Sequence, residues 1–142
     1  MTTPKRWVPR YPLGEEQPER IRSRTGLALD EVTLEAVRAS RLRAEDFTIH
    51  ADTLRMQAEI ASTAGYEQLA ANLVRAAELV DVPNDRLLEI YEALRPNRAT
   101  YQELLDLGKS LETEYGAKAN ARFIYQAADA YRTAGLLRSE NE

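Results

Sequence analysis

The chain has 142 residues, of which 30% are charged and 44% hydrophobic, and it carries a formal net charge of −4 at pH 7. That length suits one domain of ordinary size, and the mild acidity excludes the strongly basic surface of a nucleic-acid binder. Cysteine is absent, which excludes disulfides, thiolate metal sites and iron–sulfur clusters made by this chain alone and fits a reducing, cytoplasmic setting.

Charge is uneven along the chain. Residues 1–43 hold nine Lys/Arg against six Asp/Glu, whereas residues 44–142 hold ten against seventeen. Two readings stand: a basic tail on an acidic helical body, or a basic arm that lies on an acidic partner surface. Residues 1–29 contain four of the six prolines, Pro4, Pro9, Pro12 and Pro18. Proline removes amide donors and biases its predecessor toward extended backbone, so this segment reads as an extended arm without helix or sheet. Trp7, Val8, Tyr11, Leu13 and Ile21 are dispersed through it, and such large apolar groups pack either on the chain's own helices or on another subunit.

From Asp30 the pattern becomes helical. Asp30 reads as an N-cap for a short helix through Val32, Leu34, Ala36 and Val37 that ends near Ser40. A turn over 44–49 leads to a second helix from Asp52 through Leu54, Met56, Ala58, Ile60 and Ala61, closed by Gly65, because glycine tolerates the left-handed backbone at a helix end. Tyr66, Leu69, Leu73, Ala76, Ala77 and Val80 are spaced by threes and fours and define a third helix. Pro83 suits the first turn of a fourth, which carries Leu87, Ile90, Tyr91 and Leu94 and stops before Pro96. Thr100 and Glu103 form a capping box for a fifth helix through Leu104, Leu107, Leu111 and Tyr115 to Gly116. A sixth runs from Ala117 through Ala121, Ile124, Ala128 and Tyr131 to Gly135. The expected architecture is therefore all-α. About six helices with short connections occupy 30–137, behind an arm over 1–29 and before a fraying tail over 138–142.

Catalytic chemistry is hard to find. His50 is the one histidine, and with no cysteine to activate it reads as a helix-end or surface residue. One imidazole beside Asp52 falls far short of a three- or four-ligand metal site. The carboxylate pairs Glu45/Asp46, Asp81/Asp85, Glu89/Glu92 and Glu112/Glu114 lie mostly on polar helix faces, where both members remain solvated rather than tuned apart. The six glycines form no phosphate loop. No apolar run approaches the roughly 18–20 residues that span a bilayer, and the opening MTTPKRW lacks the apolar stretch of a signal peptide. The basic cluster Arg95-Pro96-Asn97-Arg98 follows a helix C-terminus. It either complements the helix dipole there or meets a partner carboxylate. No catalytic, cofactor-binding or metal residue is assigned, and the residues point to an interaction protein or accessory subunit.

Several stretches resemble the small subunits of coenzyme B12-dependent diol and glycerol dehydratases. The resemblance begins at Tyr11-Pro12-Leu13, Pro18-Glu19 and Thr33-Leu34-Glu35-Ala36-Val37. It strengthens over Asp52 to Ala58 and Arg75 to Leu79, is most specific from Val82 to Pro96, and continues through Glu103-Leu104-Leu105, Leu111-Glu112 and Ala117 to Phe123. It implies a complex of large, medium and small subunits, two copies of each. The large subunit, a TIM barrel, would hold the diol and a metal ion, and adenosylcobalamin would lie between the large and medium subunits. Radical chemistry there would convert a 1,2-diol to an aldehyde and water. The small subunit would pack on the large one and supply no catalytic residue. On this reading Trp7, Tyr11, Leu13, Arg95 and Arg98 are the candidate subunit-interface residues, propane-1,2-diol is the favoured substrate and glycerol a second. The chain has only about ten residues before Tyr11, so packaging into a microcompartment through a long N-terminal extension is not expected. A helical protein–protein adaptor without enzymatic role is the alternative reading.

Overall fold

The computed structural model describes residues 8–139, and within them the backbone is helical, with isolated β-bridges but no strand. Seven helices follow in order: α1 Leu13–Glu16, α2 Leu34–Arg38, α3 Ala51–Thr63, α4 Glu67–Leu79, α5 Asn84–Ala93, α6 Tyr101–Tyr115 and α7 Lys118–Ala134. Three-ten turns occupy Pro18–Arg20, Leu29–Glu31 and Ala44–Phe47. The chain divides into two compact units, residues 1–80 and 81–142.

The arm is more structured than its prolines suggest. Leu13–Glu16 makes one helical turn, with the Glu15 and Glu16 amides donating to the Pro12 carbonyl at 3.1 and 2.9 Å. Pro12 supplies a helix-compatible entry, two glutamates complement the positive helix start, and burial of Leu13 holds the turn. Gln17 fixes what precedes it: its Oε1 accepts from the Arg10 amide at 2.9 Å and its Nε2 donates to the Val8 carbonyl at 3.3 Å. Backbone bridges join Arg22 to Ala28 and Ser23 to Ile49.

Asp30 does not cap the short helix that follows it. It lies inside the three-ten turn Leu29–Glu31, which the Glu31 carboxylate closes by accepting from the Ala28 amide at 2.7 Å. Thr33 caps α2 instead, its Oγ1 accepting from the Ala36 amide at 3.1 Å. An Asp30 cap would have required β-branched Val32 and Thr33 to enter the helix, whereas Thr33 in extended conformation needs no such concession. Pro83 likewise sits at the N-cap of α5 rather than within its first turn.

In the first unit α3 packs against α4, and the buried side chains of the pair are Thr53, Ala58, Ala61, Ala70 and Ala77. In the second unit α6 packs against α7. Its interior is built from larger groups: Leu104, Leu111 and Ile124 are the largest fully buried side chains. Gly108 is buried on α6 with the Tyr125 ring of α7 directly over it, and a Cβ at 108 would collide with that ring. The capping box of α6 forms as expected, Thr100 Oγ1 accepting from the Glu103 amide at 3.2 Å and Glu103 Oε2 from the Thr100 amide at 2.7 Å. Gly116 and Gly135 end α6 and α7 with φ of 65° and 68°.

Candidate interaction surfaces

In the first unit, Tyr11 stands 80% exposed at the rim of an apolar groove of about 580 Å³. The helical turn α1 brings Leu13 to the groove, Ile21 follows from the arm, and α3 and α4 contribute Ile60 and Leu69, with Tyr66 at the start of α4. Leu13 is only 6% exposed, so most of it serves its own unit, while Tyr66 and Leu69 are open to solvent. Trp7 lies outside the described residues.

In the second unit, Arg95 and Arg98 flank Glu92. Arg95 Nη1 is 3.2 Å from Glu92 Oε2 and Arg98 Nε is 3.2 Å from Glu92 Oε1. One carboxylate thus serves two guanidiniums, and all three side chains are more than half exposed. The turn that carries them is fixed from below. Tyr131 donates from its hydroxyl to the Leu94 carbonyl at 2.6 Å, the Asn97 amide donates to the Leu136 carbonyl at 2.8 Å, and the Arg138 amide to the Ala99 carbonyl at 2.9 Å. Asn97 takes the left-handed conformation with φ of 61°, which asparagine tolerates better than most residues.

The titratable groups with displaced pKa values are structural. Asp46 is held below the ordinary carboxylate range by hydrogen bonds from the Arg43 amide and the Thr25 hydroxyl, at 2.7 and 2.6 Å. Glu103 is held low by the Thr100 amide and then by Arg138. Tyr101 is pushed up, chiefly because its hydroxyl donates to Asp129 at 2.9 Å. The Arg132 guanidinium lies 4.3 Å from the Tyr101 ring centre and pairs with the same Asp129 oxygen. His50 caps α3, its Nδ1 accepting from the Asp52 amide at 3.1 Å. Among the described residues, no group of three or more His, Cys, Asp and Glu could hold a metal ion, and no helix is long and apolar enough to cross a membrane.

Sequence reasoning placed Tyr11 and Leu13 in one region but missed the groove they share with α3 and α4, because a stripe of apolar residues does not reveal which members a neighbouring helix covers. It also passed over Leu88 and set Tyr91 on the apolar stripe of α5 with Leu87, Ile90 and Leu94. They are 69% and 73% exposed. A signal was available for Leu88, which lies one position outside the Leu87, Ile90, Leu94 stripe.

Comparison with known proteins matches residues 7–138 to the family described as "Dehydratase small subunit". The chain is 49% identical over 121 residues to the propanediol dehydratase small subunit of Citrobacter freundii and, over the same length, to that of Salmonella typhimurium. Each alignment spans 85% of this chain and 70% of the relative.

Proposed function

The chain belongs to the dehydratase small-subunit family, and from that premise we propose that it is the structural small subunit of a propanediol dehydratase complex that converts a 1,2-diol to an aldehyde and water. It packs on the large subunit, assembles with large and medium subunits in two copies each, and works in the cytoplasm. Propane-1,2-diol is the favoured substrate and glycerol a second. The larger subunits bind adenosylcobalamin, which supplies the radical chemistry. No residue of this chain is assigned to that group; its one imidazole, His50, accepts at Nδ1 from the Asp52 amide at the start of α3. Trp7, Tyr11, Leu13, Arg95 and Arg98 contribute to the subunit contact.

One observation carries this reading. Among the described residues, ten of the thirteen exposed large apolar side chains fall in residues 1–80, and three of them, Tyr11, Tyr66 and Leu69, line the one groove. Single exposed apolar residues are ordinary, but a gathered set marks a surface that another protein covers. The contribution of such a subunit is contact area and exclusion of water from a reaction whose intermediates water would divert.

The test is aldehyde formation from propane-1,2-diol with adenosylcobalamin, using large and medium subunits co-expressed with and without this chain. Activity and co-elution that require the chain support the proposal. Full turnover and unchanged inactivation rate without it, or failure to co-elute, leave the helical adaptor reading in its place.

A further inference from the structure

The outer face of α5 carries a second kind of surface, distinct in chemistry from the Tyr11 groove. Leu88, Tyr91 and Glu92 are separated by three and four residues and therefore lie along one side of the helix, and Arg95 follows two residues past its last residue, Ala93. Ile90, on the opposite side, is buried. The outer side presents a leucine and a tyrosine, 69% and 73% exposed, running directly into the Arg95–Glu92–Arg98 cluster. The Tyr91 hydroxyl has no hydrogen-bond partner among the described residues.

We infer that this face, Leu88 and Tyr91 together with Arg95 and Arg98, docks a carboxylate-bearing apolar patch on one of the larger dehydratase subunits; the inference rests on the subunit reading above and names the chemistry of the partner. Three features on the face specify that occupant. First, the charges are unbalanced at its C-terminal end. Glu92 gives one oxygen to each guanidinium, which leaves the cluster at +1 and leaves most of the ten guanidinium N–H donors facing solvent. Of the other acids on α5, Glu89 is engaged by Arg86 at 2.6 Å, and Asp85 lies in the first turn, at the opposite end of the helix from the two arginines. A carboxylate arriving from outside completes the charge balance and matches the planar donor geometry of arginine.

Second, the cations adjoin an aromatic side chain and an aliphatic one. Tyrosine and arginine are the side chains over-represented where interfaces concentrate their binding energy, and flanking apolar contact excludes the water that would otherwise screen the ion pair. Third, the platform is rigid before binding. The hydrogen bonds from Tyr131, Asn97 and Arg138 fix the turn from the C-terminal side of the unit, so little ordering remains to oppose association. An arginine pair serving only the α5 dipole would need neither the second guanidinium nor the exposed tyrosine.

The experiment measures binding of the purified full chain to the co-expressed large and medium subunits, by size-exclusion co-elution and by titration at two salt concentrations. Tyr91→Ala and the double variant Arg95→Glu/Arg98→Glu are compared with the unsubstituted chain, with circular dichroism on each to verify the helical fold. The side chains are exposed and outside the core, so both variants should retain it. Expected are a weakening of about thirtyfold for Tyr91→Ala, a comparable loss for the charge reversal, and a salt dependence present in the unsubstituted chain and lost in the double variant. Arg98→Lys keeps the charge but not the fork, and should recover only part of the binding. Unchanged affinity in Tyr91→Ala and in the charge reversal overturns the inference while leaving the subunit assignment intact. Failure of the unsubstituted chain to bind overturns the assignment and the inference together.

Discussion

The two compact units use apolar residues in opposite ways. In residues 1–80 the buried hydrophobic set is Leu13 with alanines, Ala36, Ala58, Ala61, Ala70 and Ala77, while Tyr11, Leu34, Phe47, Tyr66 and Leu69 stay exposed. Among the described residues of the second unit Leu104, Leu107, Leu111 and Ile124 are inside, and only Leu88, Tyr91 and Phe123 among the large apolar residues are exposed. Small residues let α3 and α4 approach closely, but they bury little area per residue, and burial scales at about 25 cal/mol per Å². The difference teaches where apolar bulk goes: the second unit buries its large side chains between α6 and α7, whereas the first keeps many of its own exposed.

That contrast can be broken most forcefully in the second unit. Leu111→Ala deletes a fully buried side chain from α6 and should cost about 2–5 kcal/mol in urea unfolding of the full chain. Gly108→Ala comes next. The added methyl meets the Tyr125 ring, and overpacking of this kind costs about 1–3 kcal/mol, reduced by the roughly 1 kcal/mol that alanine gains over glycine in a helix. A Gly108→Ala chain more stable than the original would show that Tyr125 swings aside and that the packing of α6 on α7 is looser than the geometry implies.

The first unit should respond in the reverse sense. Leu69→Ser changes an exposed side chain beside the groove, and surface substitutions of this sort usually move stability within about 0.5 kcal/mol. Its effect should appear in assembly instead, as reduced co-elution with the larger subunits. A large loss of stability with assembly unchanged would mean that Leu69 belongs to the unit's own core.

What the sequence made legible follows the same division. Helix ends were readable wherever one residue decides them: Thr100 with Glu103, Gly65, Gly116 and Gly135 all act locally, through a hydroxyl, a carboxylate or a positive φ. The periodic stripes of α6 and α7 were readable because spacing alone sets a helix face; that of α4 gave the helix but not its buried side, since Tyr66 and Leu69 are exposed and Ala70 is buried. The turn at Leu13–Glu16 was not, since proline density argues against helix and only the burial of Leu13 argues for it. Nor was the choice of Thr33 over Asp30, because both are good caps and the decision rests on the Glu31 to Ala28 bond that closes the preceding turn. Side-chain exposure was least legible. Tyr91 and Ile90 are adjacent and both fit an apolar stripe, yet one is buried and the other projects into solvent. Arg95 and Arg98 were visible as a basic cluster, but their sharing of Glu92 depends on the fold of the turn.

The smallest expected effect concerns acid, and it touches both units. Asp46 in the first is held below its ordinary pKa by the Arg43 amide and the Thr25 hydroxyl, and Glu103 in the second by the Thr100 amide and Arg138. In the unfolded chain these carboxyls return to about 4. Below about pH 5 the unfolded chain therefore binds more protons than the folded one, so stability rises with pH in that range. The contribution of each group is fully present above its unfolded value and is lost as pH falls through its folded value. Asp46→Asn should flatten the acid limb of a plot of melting temperature against pH, and Glu103→Gln should do so as well. Glu103 is the more exposed of the two, so solvent and salt screen its pair with Arg138, and its effect should shrink as salt is raised. The Asp46 effect should persist in salt, because a buried carboxylate held by an amide and a hydroxyl at 2.7 and 2.6 Å depends on short contacts rather than on a distant charge. Equal salt sensitivity in the two variants would place Asp46 in solvent and remove it as the bond that ties the 23–25 turn to the segment before α3.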